Sequence, residues 1–413
     1  MKHLFNDYVQ SLETYIMFKI KQETTKMTPE LKAKGRAPIS LSMGAPVQAP
    51  PQYVIDKLKE ALDEPGIHTY SSPKGENFYL EAIAKRMKNR FGVDINPTTE
   101  VFSLIGSKEG IANLIREIIN PTTVETDKEI VLIPDPGYAS YKEMLKVSGG
   151  QAYPIPLTLE NNYMPSLDEV MESLEKDGYD KAKVKAVVIN YPNNPLGATA
   201  NIEYYKHVVE FCKKHGLLLI SDAAYADMSF VGEEKPNSIL EVDGAKEVAV
   251  EFHSFSKPYA MTGWRLGWVC GNSEVIEMFG KLKSTIDTGI YKALQKAAAQ
   301  VLNSNEGDKY IEEAVNGFEA KQKILVDGFK ELGWNMDSLN IPKATFYLWL
   351  PIPPRYKTSA EFTEEVLKTS GIVFVPGNAF GNYGEGFFRI SVVATDDDLK
   401  DVIRRMKEDG FTF

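Results

Sequence analysis

From about residue 53 onward, short apolar runs alternate with stretches of helical periodicity, and few folds accommodate such an alternation. The runs lie at 101–105, 130–134, 184–190, 217–221, 247–252 and 266–270, with helical segments such as 111–119, 138–147 and 202–215 between them. A strand that is apolar on both faces needs cover on both, which a mostly parallel sheet between two layers of helix supplies. A long helical region follows at 273–333, interrupted by Gly289. Beyond it the pattern changes. Strands near 344–350 and 387–393 and helices at 360–369 and 396–409 predict a separate α+β domain, completed by the N-terminal segment. Residues 1–20 read as one amphipathic helix, with Leu4, Tyr8, Leu12 and Ile16 on a single stripe.

A chain of 413 residues has room for two domains and a large core. Its 47 basic and 57 acidic residues leave a net charge of −10, and no basic stripe appears. That argues against a general nucleic-acid or anionic-membrane surface. An anionic small substrate must then be met by local positive charge inside a pocket. Cys212 and Cys270 are far apart and lack metal or redox spacing, so both read as reduced, buried thiols. Asp7 and Glu13 interrupt the N-terminus, and no window is long and charge-free enough to span a membrane. A cytoplasmic protein without a metal is the expectation.

In open α/β sheets, ligands bind beyond the carboxyl ends of the strands, and the informative polar residues of this chain fall there. After 101–105 comes Gly106-Ser107-Lys108-Glu109-Gly110, a glycine turn into a helix whose free N–H groups suit an anion. Ordinary strand–helix turns look similar. Neither GxGxxG nor a Walker lysine motif is present, which counts against dinucleotides and nucleoside triphosphates. Tyr138 opens a helix after Asp135-Pro136-Gly137, placed either to stack on a flat ring or simply to pack. Asn193-Asn194-Pro195-Leu196-Gly197 is a turn. Asp222 ends an apolar strand, and burying it requires a cation, such as a protonated pyridine nitrogen. Lys257 sits in Ser254-Phe255-Ser256-Lys257, eight residues before Arg265. A desolvated lysine is a nucleophile able to hold an aldehyde as a Schiff base. The serines and the arginine fork suit a phosphate. Pyridoxal 5'-phosphate (PLP) carries both groups. Arg265 and Arg389 each lie between apolar neighbours, so each needs either an internal salt bridge or an anionic ligand.

Ser-x-Ser-Lys followed by Gly-x-Arg-x-Gly, together with Asp-x-x-Tyr, Asn-Pro-x-Gly and a C-terminal Phe-Arg-Ile-Ser, occur in a specific order. In these motifs the chain resembles the class I/II aminotransferases of the fold-type-I PLP enzymes, along nearly its whole length. The resemblance implies an α/β fold: a large domain with a mostly parallel seven-stranded sheet, plus a smaller α+β domain. It implies an N-terminal segment at 1–45 that joins the small domain, a PLP-binding domain at 46–290 and a C-terminal domain at 291–413. By the same resemblance Lys257 would be the Schiff-base lysine and proton shuttle. Asp222 would pair with the pyridinium nitrogen, Asn194 and Tyr225 would bond the ring phenolate, and Tyr138 would stack on the ring. Ser107, Lys108, Ser254, Ser256 and Arg265 would hold the phosphate. Arg389 would grip the substrate carboxylate, with Gly44 and Asn194 lining the substrate. Tyr70 would reach the phosphate of a neighbouring subunit, which implies a homodimer with shared sites.

The expected reaction exchanges an amino group between an L-amino acid and a 2-oxo acid, with 2-oxoglutarate/glutamate as one partner. The stretches around Ser107 and around Asp287-Thr288-Gly289 resemble the subgroup of LL-diaminopimelate and some alanine or glutamate aminotransferases. Residues 285–295 contain no arginine for a distal carboxylate, only Lys292, which counts against strict aspartate specificity of the type that uses one. LL-Diaminopimelate, alanine and aspartate are the candidate donors. A PLP lyase of the same fold, cleaving C–S bonds or forming a cyclopropane, is the alternative. Its motifs around the lysine are nearly identical.

Overall fold

The computed structural model describes residue 1 and residues 4–413. The short strand β1 (Ile39–Ser40) precedes seven strands that form one sheet: β2 (Val101–Leu104), β3 (Ile130–Asp135), β4 (Gln151–Pro156), β5 (Val184–Ile189), β6 (Leu218–Asp222), β7 (Ala249–Ser254) and β8 (Gly267–Gly271). Their order is β2-β8-β7-β6-β5-β3-β4. Neighbours from β4 through β7 pair in parallel, whereas β8 runs antiparallel to both β7 and β2. The mostly parallel sheet of seven is therefore present.

Alternation along the strands shows why they read as continuous apolar runs. Ala186, Val188, Ile220, Val250 and Phe252 pack into one cluster with Ile111, Leu114, Leu145 and Phe279. Val187, Ile189, Leu219 and Ala249 face the other way, into the larger core. Both faces are covered, so neither tolerates polar residues. The sequence pattern missed β4, and the reason is physical. It is an edge strand with Pro154 and Pro156 in it, a composition an interior strand cannot carry.

Before β1 lie α1 (Asp7–Gln10) and α2 (Ile16–Ala33), and after it come α3 (Gln52–Leu62), α4 (Asn77–Phe91), α5 (Ser107–Ile118), α6 (Ser140–Val147), α7 (Leu167–Lys176), α8 (Ile202–His215) and α9 (Ser273–Lys283). The rest of the helical region divides into α10 (Lys292–Leu302) and α11 (Asn305–Glu331). The C-terminal part holds β9 (Tyr347–Pro351), α12 (Ser359–Ser370), β10 (Ile372–Val373), β11 (Val375–Pro376), β12 (Phe387–Ser391) and α13 (Asp396–Glu408). There β11-β12-β9 form an antiparallel sheet, and β1 pairs in parallel with β10. The N-terminal segment is thus stitched to the C-terminal one, with Leu41 N–H donating to Val373 O at 2.9 Å and Ser391 N–H to Leu41 O at 2.8 Å. α11 and α13 approach closely because Gly328 has no side chain; a Cβ there would lie 2.3 Å from Ile403.

The single helix expected over 1–20 does not form. Residues 2 and 3 lie outside the described residues, α1 covers only Asp7–Gln10, and α2 begins at Ile16, where the expected helix was close to its end. Tertiary bonds win over periodicity here. Tyr8 Oη donates to Thr122 O and Lys146 Nζ to Ser11 O, which ties the intervening turn to the body of the protein. Leu4 stays 65% exposed, so the proposed apolar stripe is not buried. Among the described residues, no helix is long and apolar enough to cross a membrane.

Candidate active site

Asp222 ends β6 in a buried position. Tyr141 Oη donates to its Oδ2 at 2.6 Å and Ala224 N–H to its Oδ1 at 3.3 Å. Burial pushes its pKa upward, opposed by those two donors and by the charge of Lys257. A carboxylate so held has strong hydrogen bonds but no cation in contact. The turn after β5 is laid across the same strand end, with Asn190 Nδ2 donating to Asp222 O at 2.8 Å and Asn194 N–H to Asn190 Oδ1 at 3.0 Å. Tyr225, three residues beyond Asp222, shares a 2.8 Å bond with Tyr347 of β9.

Lys257 follows β7 and projects into the same space. Its Nζ donates to Gly44 O at 2.6 Å. Burial depresses its pKa to about 8, with Arg389 and Arg265 acting in the same direction and Asp222 against them. An amine in that range is partly neutral at physiological pH, as a nucleophile or proton carrier must be.

One end of the cavity is built for an anion. Gly106 caps α5 with φ of +119° and offers no side-chain cap, so the opening N–H groups of the helix are left for another acceptor. Glycine is favoured there because φ lies in the left-handed region, and a Cβ would also displace Arg265 Nη2, 2.5 Å away. Ser107, Lys108, Ser254 and Ser256 line the same end. Ser254 Oγ accepts from Ser256 N–H at 3.1 Å, and Arg265 Nη1 donates to Thr262 O at 2.9 Å.

Arg389, buried on β12, lines the same cavity. It donates to Asn194 Oδ1 and Ser42 O, both at 2.8 Å, and lies flat over Tyr347 at 4.5 Å and Phe380 at 4.8 Å. Its Nε is buried without a partner among the described residues. Neither Arg265 nor Arg389 forms an ion pair with a carboxylate among the described residues, so the internal salt bridge each permitted in sequence is absent. Both guanidinium groups line one cavity of about 430 Å³, but only Arg389 is buried; Arg265 is exposed, so its charge is met by solvent and the expected burial holds for Arg389 alone.

Every expected site residue but one lines this cavity, including Tyr138, Tyr225, Asn194 and Gly44. Tyr70 does not. It is 85% exposed and borders a separate cleft with His68 and Tyr291. Three tyrosines were not anticipated, and neither was Phe380 beneath Arg389. Tyr138 lies just before α6 rather than opening it, with its O accepting from Tyr141 N–H at 3.0 Å, and the two rings touch edge to face at 5.5 Å; the three-residue spacing was the signal that could have found Tyr141. Tyr347 lies within a strand expected for its apolar character alone, which hid its hydroxyl. Tyr15 precedes α2 and enters the cavity with Ile16 and Met17. Lys108 Nζ sits over the rings of both Tyr15 (5.1 Å) and Tyr138 (5.7 Å). That placement depended on the break in the N-terminal helix and had no local signal.

A family model described as aminotransferase class I and II matches residues 36–406. An LL-diaminopimelate aminotransferase from Halothermothrix orenii is 39% identical over 407 residues, covering 98% of this chain and 99% of that relative. The solved structure of substrate-bound BacF from Bacillus subtilis matches with a TM-score of 0.89 at 31% identity, covering 99% of this chain and 98% of that one. A double mutant of Thermus thermophilus aspartate aminotransferase shares the fold, with a TM-score of 0.86 at 24% identity over 98% of this chain and 99% of that one. With agreement of this extent, the chain belongs to the class I and II aminotransferases, a family that uses pyridoxal phosphate.

Proposed function

We propose that the protein binds pyridoxal phosphate in this cavity and transfers the amino group of LL-diaminopimelate to 2-oxoglutarate. The observation that carries the reaction class is the pair of arginines without a carboxylate partner among the described residues, lining one cavity together with a lysine of depressed pKa. The donor is inferred from the curated relatives that carry that activity by name. The residues fit the cofactor. The uncapped α5 start with Arg265 suits a phosphate, Asp222 lacks the cation that a ring nitrogen supplies, and Lys257 is an amine of suitable pKa.

When bound, the cofactor supplies a carbonyl to take the amino group and a ring to accept the electron pair left at Cα. The protein does the rest. Ser107, Lys108, Ser254, Ser256 and Arg265 would hold the phosphate, and Tyr138 would pack on the ring. Asp222 holds the cationic ring nitrogen, its own geometry fixed by Tyr141. Asn194 and Tyr225 hold the ring oxygen. Arg389 takes the α-carboxylate in a fork and sets the Cα–H bond toward Lys257, while Gly44 keeps the approach open. With the cofactor bound, Lys257 would act as the amine base that holds and moves the Cα proton. Tyr70 serves the cavity of a second copy, so the working unit is a homodimer.

The division into a large unit at 46–290 and a small unit made of 1–45 with 291–413 belongs to the same proposal. Pairing of β1 with β10 supports it, while packing of α10 on α3 and α4 supports a boundary nearer residue 303.

A donor panel tests the reading. Purified protein with LL-diaminopimelate, alanine, aspartate or glutamate is offered 2-oxoglutarate or pyruvate, and products are followed through a single turnover. The expected result is fastest transfer from LL-diaminopimelate with no ammonia released. Stoichiometric ammonia or thiol would instead identify a lyase.

A further inference from the structure

Lys283, the last residue of α9, is wholly buried and takes no part in the mechanism above. An ammonium removed from water needs carboxylates close by. It has Glu109 Oε1 at 3.0 Å and Asp287 Oδ2 at 2.5 Å. These acids belong to different elements. Glu109 is in the first turn of α5, two residues after Ser107, and Asp287 is in the connector between α9 and α10.

Each acid carries the linkage further. Asn113 Nδ2 also donates to Glu109 Oε1, while Glu109 Oε2 is buried without a partner among the described residues. Asp287 Oδ1 accepts from Gly289 N–H at 2.9 Å. Gly289, at φ +92°, lies so close to Ser72 O that a Cβ would be 2.5 Å away, and Ser71 Oγ donates to Thr288 O at 3.3 Å. The connector is thereby fixed against the loop that carries Tyr70.

We propose that Lys283 is a positioning residue that keeps the start of α5 competent for an anion and joins it to the Tyr70 loop. This rests on the reading that the start of α5 receives the cofactor phosphate. Glu109 complements the helix dipole, but its charge competes with any anion bound at the same terminus. Lys283, itself buried, neutralises it through the 3.0 Å ion pair. Without Lys283, a carboxylate in the first turn of α5 loses its cation, and the connector loses its anchor.

The test uses cofactor-free protein titrated with PLP and, separately, with pyridoxal, which lacks the phosphate. Lys283→Met keeps the apolar stem. It is expected to weaken PLP binding about tenfold at low salt, the order for one uncompensated charge near a bound anion, and to leave pyridoxal binding unchanged. Adding Glu109→Gln removes the offending charge and is expected to return PLP affinity to within about threefold of the parent. The double variant also serves alone if Lys283→Met does not fold: affinity near the parent's supports the assignment, and a tenfold loss overturns it. Parent-like PLP affinity in Lys283→Met, or equal losses for PLP and pyridoxal, would likewise overturn it. Failure of the parent protein to bind PLP would instead refute the functional reading.

Discussion

Two groups in the cavity are displaced in opposite directions by the same cause. Burial disfavours charge, so the Lys257 ammonium is pushed down to about 8 and the Asp222 carboxyl is pushed up. For Lys257 the sign is direct: the reactive neutral amine accumulates as pH rises through about 8, well below the range of a solvated lysine. In cofactor-free protein, labelling of Lys257 by a small aldehyde and cyanoborohydride should therefore rise with a midpoint near pH 8. Arg389→Ala removes a repelling charge and should move that midpoint upward; a downward move would contradict the assigned cause. Asp222 depends on Tyr141 for its strongest hydrogen bond. Tyr141→Phe leaves the ring packing intact and removes that donor. A loss of about 1–2 kcal/mol, or roughly tenfold in kcat with KM little changed, is the expected steady-state result. At this scale the sequence was most legible where chemistry and position coincide, as at Lys257 and Asp222. Residues such as Tyr347 stayed hidden because a hydroxyl within an apolar strand has no spacing signature.

Strand ends do the positioning. β6 delivers Asp222, β7 delivers Ser254 and the approach to Lys257, and β12 delivers Arg389 across the small sheet. The start of α5 is the most demanding element, because its anion site exists only while residue 106 lacks a side chain. Gly106→Ala would face both a positive φ and a clash with Arg265. It should cost about 1–3 kcal/mol of stability in a melting experiment and weaken cofactor affinity in parallel. Unchanged affinity would remove α5 from the phosphate site. Interior strands were readable because both faces are apolar. β4 was not, since an edge strand tolerates proline and a mixed pattern. The N-terminal helix failed for a different reason: contacts to Thr122 and Lys146 outweigh a local periodicity that buries little.

Across the whole molecule, the chain threads from the N-terminal segment through the large sheet and back to the small one. Arg389 and Gly44 therefore reach the cavity from segments far apart in sequence. Tyr70 alone points elsewhere, which a second copy would explain. Mixing Lys257→Ala with Tyr70→Ala subunits should then restore activity, since one hybrid site regains both residues. Hybrids no more active than the better parent would indicate self-contained sites. The fold class was legible because alternating apolar strands leave few alternatives. The substrate was not, because the ends of the cavity are assembled from loops whose meeting is decided only by the fold.

Attachment of the cofactor to one lysine is the centre of the account, and among the described residues two lysines line the cavity, Lys257 and Lys108. Borohydride reduction of the PLP-loaded protein, followed by peptide mapping, separates them. The account predicts that the cofactor mass is found on the peptide containing Lys257 and nowhere else. Mass fixed on Lys108, or none fixed at all, would contradict it.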